Sequence, residues 1–495
     1  MLSLGILGLL SVCQASRPAV SEPQRTPLIF TQFPRKAGMP APSDHFVPGQ
    51  SSRTEGSRLV LISPSGKLTV LTPEFAAAAE ASIAYDGKKV VFSGKRRVQD
   101  KWDIWEMEAD GRNKRQITSQ LGDCGEPRYL AMSALNYPDY DGKVRWITFT
   151  SNGAGTYEER GAGLATALYV RNLDPIKGRG YVTWRITFNL SSDFSPTVLN
   201  DGRTLFASHQ MGDSEKDPAG RFLLLVSNWD GTGLNLFCGD EQGARLKTMA
   251  CEMPDQTLIF VESDGKTRDS GGQLARVSFR RPLRSYERLS KGEGRYRNPR
   301  ALPDGSLLVS YAAGADGYGL YLFDFDRKGV GQRIFTDSKW EAVQAVPLLP
   351  TAEPTGLISA VFDKQSIGEL QCLNVYESDR PEAAGIKKGE IKKVRFVQGI
   401  PPRKASSVVE NRILGEAPVE ADGSFFVRVP ADTPFYIQTL NAHGQPLQTM
   451  HRWIWVRKGT SRSCIGCHEN KELAPENRIT DALLRAKPHP VGVEE

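Results

Sequence analysis

Residues 299–335, PRALPDGSLLVSYAAGADGYGLYLFDFDRKGVGQRIF, decide the fold. An approach segment leads into the Asp304-Gly305 turn, followed by the apolar run LLVSYA and a polar excursion through Asp316-Gly317. A third run, LYLFDF, then turns at Asp326-Arg327-Lys328-Gly329 into VGQRIF. Each run is short, rich in Leu, Val, Tyr and Phe, and bounded by turn residues, as β-strands are. Asp-Gly supplies the positive φ that a tight hairpin needs. The segment therefore predicts four antiparallel strands in sequence order.

The same plan recurs on either side. It appears in SIAYDGKKVVFSGKRRVQDKWDIWEMEADGRNKRQIT from Ser82, and in PTVLNDGRTLFASHQ from Pro196 with its continuation RFLLLVSNWDGTGLNLFCG from Arg221. Weaker copies are YDGKVRWITFTSN from Tyr140 and MPDQTLIFVESDG from Met253. The first turns fall at Asp86, Asp141, Asp201, Asp255 and Asp304, spaced 49 to 60 residues apart. Four strands at that period are the signature of a β-propeller. A sixth copy, Val343 to Asp363, lacks outer strands. The N-terminal PLIFTQFP (27–34) and SRLVLISPSGKLTVLT (57–72) have the character to complete it and close the ring. The expectation is an all-β chain with a six-bladed propeller over 27–365, seven blades being the alternative.

After about residue 366 the period is lost. DGSFFVRVP and TPFYIQTLNAHGQPL alternate apolar and polar residues around turns, as a small β-sandwich would. This second domain is placed at 366–475, followed by a polar tail, 476–495, with a short helical candidate from Ile479 to Ala486.

Composition narrows the function. The chain has 495 residues, and 63 basic against 57 acidic residues leave a net charge of +6. The basic runs GKRR (94–97) and KKGEIKKVR (387–395) read as solvated faces, so nucleic acid is not an expected partner. Leu2 to Val12 is an apolar stretch of signal-peptide length, with cleavage expected after Ala15, although no Lys or Arg precedes it. It is too short to span a bilayer, and no other segment approaches that length, so no membrane insertion of the mature chain is expected. A periplasmic or secreted protein follows. Six cysteines then remain, and Cys238 and Cys251 are read as ordinary buried thiols, with a disulfide between them as the alternative. Paired carboxylates at a recognisable spacing, G-x-S-x-G and a phosphate loop are all missing, which removes support for a hydrolase.

The chemistry concentrates near the C-terminal end, in SRSCIGCHEN, residues 461–470. Cys464, Cys467 and His468 form C-x-x-C-H, the pattern of covalent haem attachment. Two thiols three positions apart add to the two vinyl groups of one porphyrin edge, and the adjacent imidazole reaches the iron. One haem c is therefore the expected cofactor. A redox disulfide lacks the βαβ context of thioredoxin-like proteins, and zinc would need further ligands. For the second axial position the candidates are Met450 and His451 on the approach to the motif, His443, His489 and Glu472. Trp453 and Trp455 are read as core residues, with a haem-flanking face as the alternative. His45 and His209 are read as loop histidines, the alternative being that they line the propeller mouth.

Three stretches carry a family resemblance: NVYESDRPEAAGIKKGEIKKVR from Asn374, the run from Ile413 through SCIGCHEN, and the WEMEADGRNKRQIT type of blade. Together they resemble the α subunit of hydrazine synthase and its relatives across nearly the whole chain. The resemblance implies a TolB-like propeller joined to a β-rich middle domain bearing the C-x-x-C-H haem. In that family the assembly is multihaem and joins nitric oxide to ammonium, with a second haem in a further C-terminal domain. Here the sequence ends 27 residues after His468, so that domain is not expected. The family's catalytic haem is similar in using a tyrosine four residues past the motif histidine, which itself serves zinc. This chain has Glu472 there, so hydrazine synthesis is not expected of it, and His468 is assigned to haem iron or to zinc. The reading is a monohaem c-type protein, with electron transfer or small-ligand redox chemistry at the haem and a redox protein or another subunit as partner. The alternative is a non-enzymatic propeller module with a structural or vestigial haem or zinc site.

Overall fold

A computed structural model describes residues 26–35, 53–131, 144–160, 163–211, 220–238, 244–264, 271–292, 294–314, 316–378, 383, 385–467, 474–485 and 487–494. The signal-peptide candidate, His45, His468 and Glu472 lie outside them.

Six four-stranded blades form a ring. Blade one is the antiparallel meander Ala77–Ile83, Lys89–Lys95, Asp103–Glu108 and Arg115–Gln116. Blades two to five repeat it, with innermost strands Cys124–Tyr129, Asp193–Val198, Leu246–Glu252 and Arg295–Ala301. Blade six is made from both ends of the propeller: Trp340–Pro347 is innermost, then Leu28–Pro34, Arg58–Ile62 and Leu68–Val70. Its closing pair runs antiparallel from Leu28↔Pro347 to Pro34↔Trp340. The expected closure and the count of six both hold. One part of the expectation fails. GLISAVFD, 356–363, forms no strand. Its backbone is satisfied instead by the blade turns it crosses: Leu357 C=O accepts the Trp229 indole N–H at 2.7 Å, and Asp230 Oδ2 accepts Ser359 Oγ–H and the Ala360 N–H at 2.9 and 3.1 Å.

Apolar residues alternate along the strands and interlock between neighbouring blades. Ile29, Leu59, Phe92 and Trp105 fill the seam between blades six and one, and Phe194, Leu205, Leu258 and Phe260 that between three and four. At some 25 cal/mol per Å² of apolar surface buried, these seams supply most of the stabilisation of the ring.

Every innermost strand breaks register at one β-bulge. The bulged residues are Glu80, Glu126, Ser195, Met249, Asn298 and Gln344, all non-glycine and all at φ between 47° and 64°. Such a conformation costs about 1–2 kcal/mol at each position. The cost is offset because the exposed N–H of one bulge donates to the side chain of the bulge before it. The Glu126 N–H donates to Glu80 Oε2 and the Ser195 N–H to Glu126 Oε2, both at 2.7 Å. The Met249 N–H donates to Ser195 Oγ at 3.1 Å, Asn298 N–H to Met249 Sδ at 3.4 Å, and Glu80 N–H to Gln344 Oε1 at 3.2 Å. Five such hydrogen bonds link the six bulges in a belt along the channel wall.

The second domain is a sandwich of two four-stranded sheets. One has the order Ser461–Cys464, Ile367–Cys372, Phe425–Pro430, His489–Pro490; the other Glu410–Pro418, Lys393–Ile400, Phe435–Leu440, Pro446–Thr449. Between them lie Leu370, Cys372, Phe396, Phe425, Val427, Val429 and Phe435. The FFVRV alternation works as expected, with Phe425, Val427 and Val429 inward. The only helix among the described residues is Asp481–Leu484, inside the expected interval. The sandwich docks on the propeller through Trp455, which joins Trp146 and Trp229 in one cluster, and through Arg457. The Arg457 guanidinium donates to Asp230 C=O at 2.9 Å and to Asp432 Oδ1 at 2.6 Å.

Candidate functional site

Ser461–Cys464 is an edge strand, parallel to Ile367–Cys372, with Cys464 in register with Cys372. The ladder continues past the strand: Leu373 N–H donates to Cys464 C=O and Asn374 N–H to Ile465 C=O, both at 3.0 Å. The loop between the thiols is therefore held by backbone bonds on one side. A Cβ at Gly466 would lie 2.2 Å from Glu377 C=O, so only glycine fits between Ile465 and Cys467. Cys464 and Cys467 are both half-buried, packed against the apolar cluster that contains Cys372, Phe425 and Val375.

The far side of the motif is anchored to the same place. Arg478 Nη2 donates to Leu373 C=O at 3.2 Å, and Nη1 to Asp422 Oδ2 at 2.5 Å. Asp422 also accepts the Ser424 hydroxyl and the Ser424 and Asp481 N–H groups. Burial alone would raise its pKa, but these bonds outweigh it and hold the carboxyl down at about 2. Leu373 thus ties together the chain entering the motif and the chain leaving residues 468–473.

The other expected site residues separate. Met450 packs on the same cluster as the two thiols. His451 is exposed beside it, and His443 is exposed in the Asn441–Gln445 turn of the other sheet. His489 lies on the opposite edge of the sheet from Cys464, with two strands between them, which removes it from the site. Trp455 is buried in the seam with the propeller, and Trp453 packs against Tyr436 at a centroid distance of 5.3 Å, so both are core residues. His209 is corrected: it is on strand Thr204–Gln210, buried and stacked on Phe222 at 4.2 Å, with Nδ1 3.5 Å from Glu158. The apolar ring opposite it across the hairpin makes a buried place for an imidazole that the polar ASHQMGD context does not reveal. Cys238 and Cys251 sit unbridged and buried in adjacent blades. Burial pushes the Cys238 thiol up to about 11, and Cys251 Sγ accepts the Ala301 N–H at 3.0 Å. Among the described residues no three His, Cys, Asp or Glu side chains gather as a metal-holding group. The bulge belt was missed by sequence reading, although its residues stand six positions before the turn aspartates 86, 201, 255 and 304.

Residues 368–469 match the family model of the hydrazine synthase alpha subunit middle domain. The curated hydrazine synthase subunit alpha of Kuenenia stuttgartiensis is 30% identical over 541 residues, which cover 89% of this chain. The solved hydrazine synthase of Kuenenia stuttgartiensis superposes with a TM-score of 0.83 at 28% identity, over 92% of this chain and 71% of that one. This is a hydrazine synthase alpha-like protein. It spans about two thirds, 65%, of the length of the curated relative. At 92% of this alpha-like chain, the superposition takes in both the propeller and the sandwich. Its solved relative carries a further stretch outside the superposition.

Proposed function

We propose that this hydrazine synthase alpha-like chain is an exported monohaem c-type protein whose haem is attached at Cys464 and Cys467. The placement of these two thiols carries the reading: they leave the end of an edge strand half-buried, three positions apart, against an apolar wall. A porphyrin face needs such a wall, and thioether formation needs sulfurs that are reachable rather than sunk in the core. Cys372, buried at 3% exposure, shows the contrast in the same sheet. When bound, the haem supplies one-electron chemistry or binds a small nitrogen or oxygen ligand. His468 would ligate the haem iron, or zinc as its other use, and His451, Met450 and Glu472 are the further candidate ligands. Cys464 and Cys467 would hold the group, the Leu373 bonds orient the loop, and the apolar cluster would keep water from it. The relative is a named subunit, so the partner proposed here is another subunit or a redox protein in the periplasm.

The test is to produce the full chain in a host with haem-maturation machinery and record reduced spectra before and after acid–acetone extraction. Absorbance that survives extraction and disappears in Cys467→Ala supports attachment. Mass spectrometry showing both sulfurs free, or joined to each other, overturns it. A high-spin spectrum that responds to carbon monoxide points to ligand chemistry, and an unresponsive low-spin spectrum to electron relay.

A further inference from the structure

The propeller channel holds a second, unassigned site. Side chains two residues beyond a bulge face the same way as the bulge residue. Ser82, Arg128, Thr197, Arg300 and Val346 line a cavity of about 70 Å³ on the channel axis, together with the bulge residues, Glu80 and Glu126 among them. Arg128 comes from blade two and Arg300 from blade five. Three blades apart in a ring of six, they stand on opposite walls.

Arg128 Nη1 donates to Pro127 C=O at 2.8 Å, and no carboxylate pairs with either arginine among the described residues. Arg300 donates no hydrogen bond there at all. The two carboxylates that share the cavity, Glu80 and Glu126, are engaged by other donors. Glu80 Oε2 accepts Ser93 Oγ–H at 2.6 Å and the Glu126 N–H, its Oε1 lies 3.6 Å from Arg53, and Glu126 Oε2 accepts the Ser195 N–H. Burial lowers the pKa of Arg128, Glu126 opposes this, the like charge of Arg300 adds to it, and Glu80 opposes it in turn. Two cations facing one another in a protein cavity are costly unless an anion joins them. A water needs only about 10–15 Å³ by the same measure, so the cavity admits a small polyatomic ion. Guanidinium forks match the paired oxygens of phosphate and carboxylate.

We propose that the channel binds a small dianion, an inorganic oxyanion or a short dicarboxylate, clamped between Arg128 and Arg300. Ser82 supplies a hydroxyl on a further wall, while the Thr197 hydroxyl donates to Ala250 C=O at 2.9 Å and only bounds the cavity. This site is separate from the haem motif and does not rest on the haem reading.

The experiment is calorimetric titration of the full chain with inorganic phosphate and, separately, with succinate, at ionic strength matched with chloride. Millimolar or tighter binding of at least one is expected, with phosphate alone marking an oxyanion site and succinate alone a dicarboxylate site. Arg300→Gln should weaken binding at least tenfold while leaving the melting temperature nearly unchanged, since it strands no partner. Arg128→Lys keeps the charge but loses the fork and should weaken binding several-fold. Cys467→Ala should leave the anion affinity intact. Absence of heat with both anions, or wild-type affinity in Arg300→Gln, overturns the proposal.

Discussion

The backbone N–H of Glu126 donates to Oε2 of Glu80 at 2.7 Å, joining the innermost strands of blades one and two at their bulges. Glu80 is 2% exposed and also takes the Ser93 hydroxyl on the same oxygen. Removing its carboxylate leaves buried donors without acceptors, a defect that costs about 1–3 kcal/mol for each stranded group. Glu80→Ala should therefore lower the unfolding free energy by about 3 kcal/mol, and Glu80→Gln, which keeps an acceptor oxygen, by about 1. Denaturant titration of the full chain checks the ranking; equal losses in the two variants would contradict it.

Glu126 makes the propeller sensitive to pH. Burial, then the charge of Glu80, raises its pKa from 4.5 to about 7. The folded state thus holds a proton that the unfolded chain has released, so stability declines as pH rises from about 4.5 to 7 and is flat above. The contribution is on the order of 3 kcal/mol. Glu126→Gln should flatten that slope and be more stable than the parent at pH 8. Melting curves at intervals between pH 5 and 8 read it, and parallel curves for the two proteins would refute it.

Gly466→Ala introduces a Cβ 2.2 Å from Glu377 C=O, a backbone atom that cannot step aside alone. The loop between Cys464 and Cys467 must shift. About 2 kcal/mol of stability should go, in the range of overpacking, and extraction-resistant haem absorbance should drop with it. Full absorbance in this variant would show that the loop geometry does not govern attachment.

Arg457, 6% exposed, bridges Asp432 of the sandwich and the Asp230 carbonyl of blade three. Truncation to Ala leaves the half-buried Asp432 carboxylate with only the more distant Lys458 and Arg185 charges, at a cost of about 2–3 kcal/mol, below that of breaking a fully buried pair. The expected outcome is loosened docking, read as faster proteolysis within 351–366 and a lower first melting transition. Unchanged proteolysis would mean that Trp455 packing alone holds the two units together.

Blade architecture was legible because its signals are local. Asp-Gly turns and alternating apolar runs lie within a few residues of one another, and the surplus of apolar runs near residues 27–72 pointed to a closing blade. The belt was not legible. Its members are Glu, Ser, Met, Asn and Gln, since the repeated element is a left-handed backbone and an acceptor atom rather than a residue type. His209 was misread because the ring that buries it, Phe222, arrives from a partner strand. His489 was misplaced because its strand crosses to the far edge of the sheet. The thiol pair was found from spacing, whereas the role of Leu373 in holding both stems of the loop depends on hydrogen bonds that spacing cannot encode.

The hydroxyl of Thr31 donates to Oε1 of Gln344 at 2.9 Å across 313 residues of chain. During synthesis, the strand bearing Thr31 emerges early and waits for its neighbour until nearly two thirds of the polypeptide has followed. Five nascent blades can stack beforehand as an open arc with an adhesive flank at each tip. A protecting chaperone, or delayed collapse of the whole arc, would be the physical answer to that wait, and premature capture of the early strand by another molecule its chief hazard.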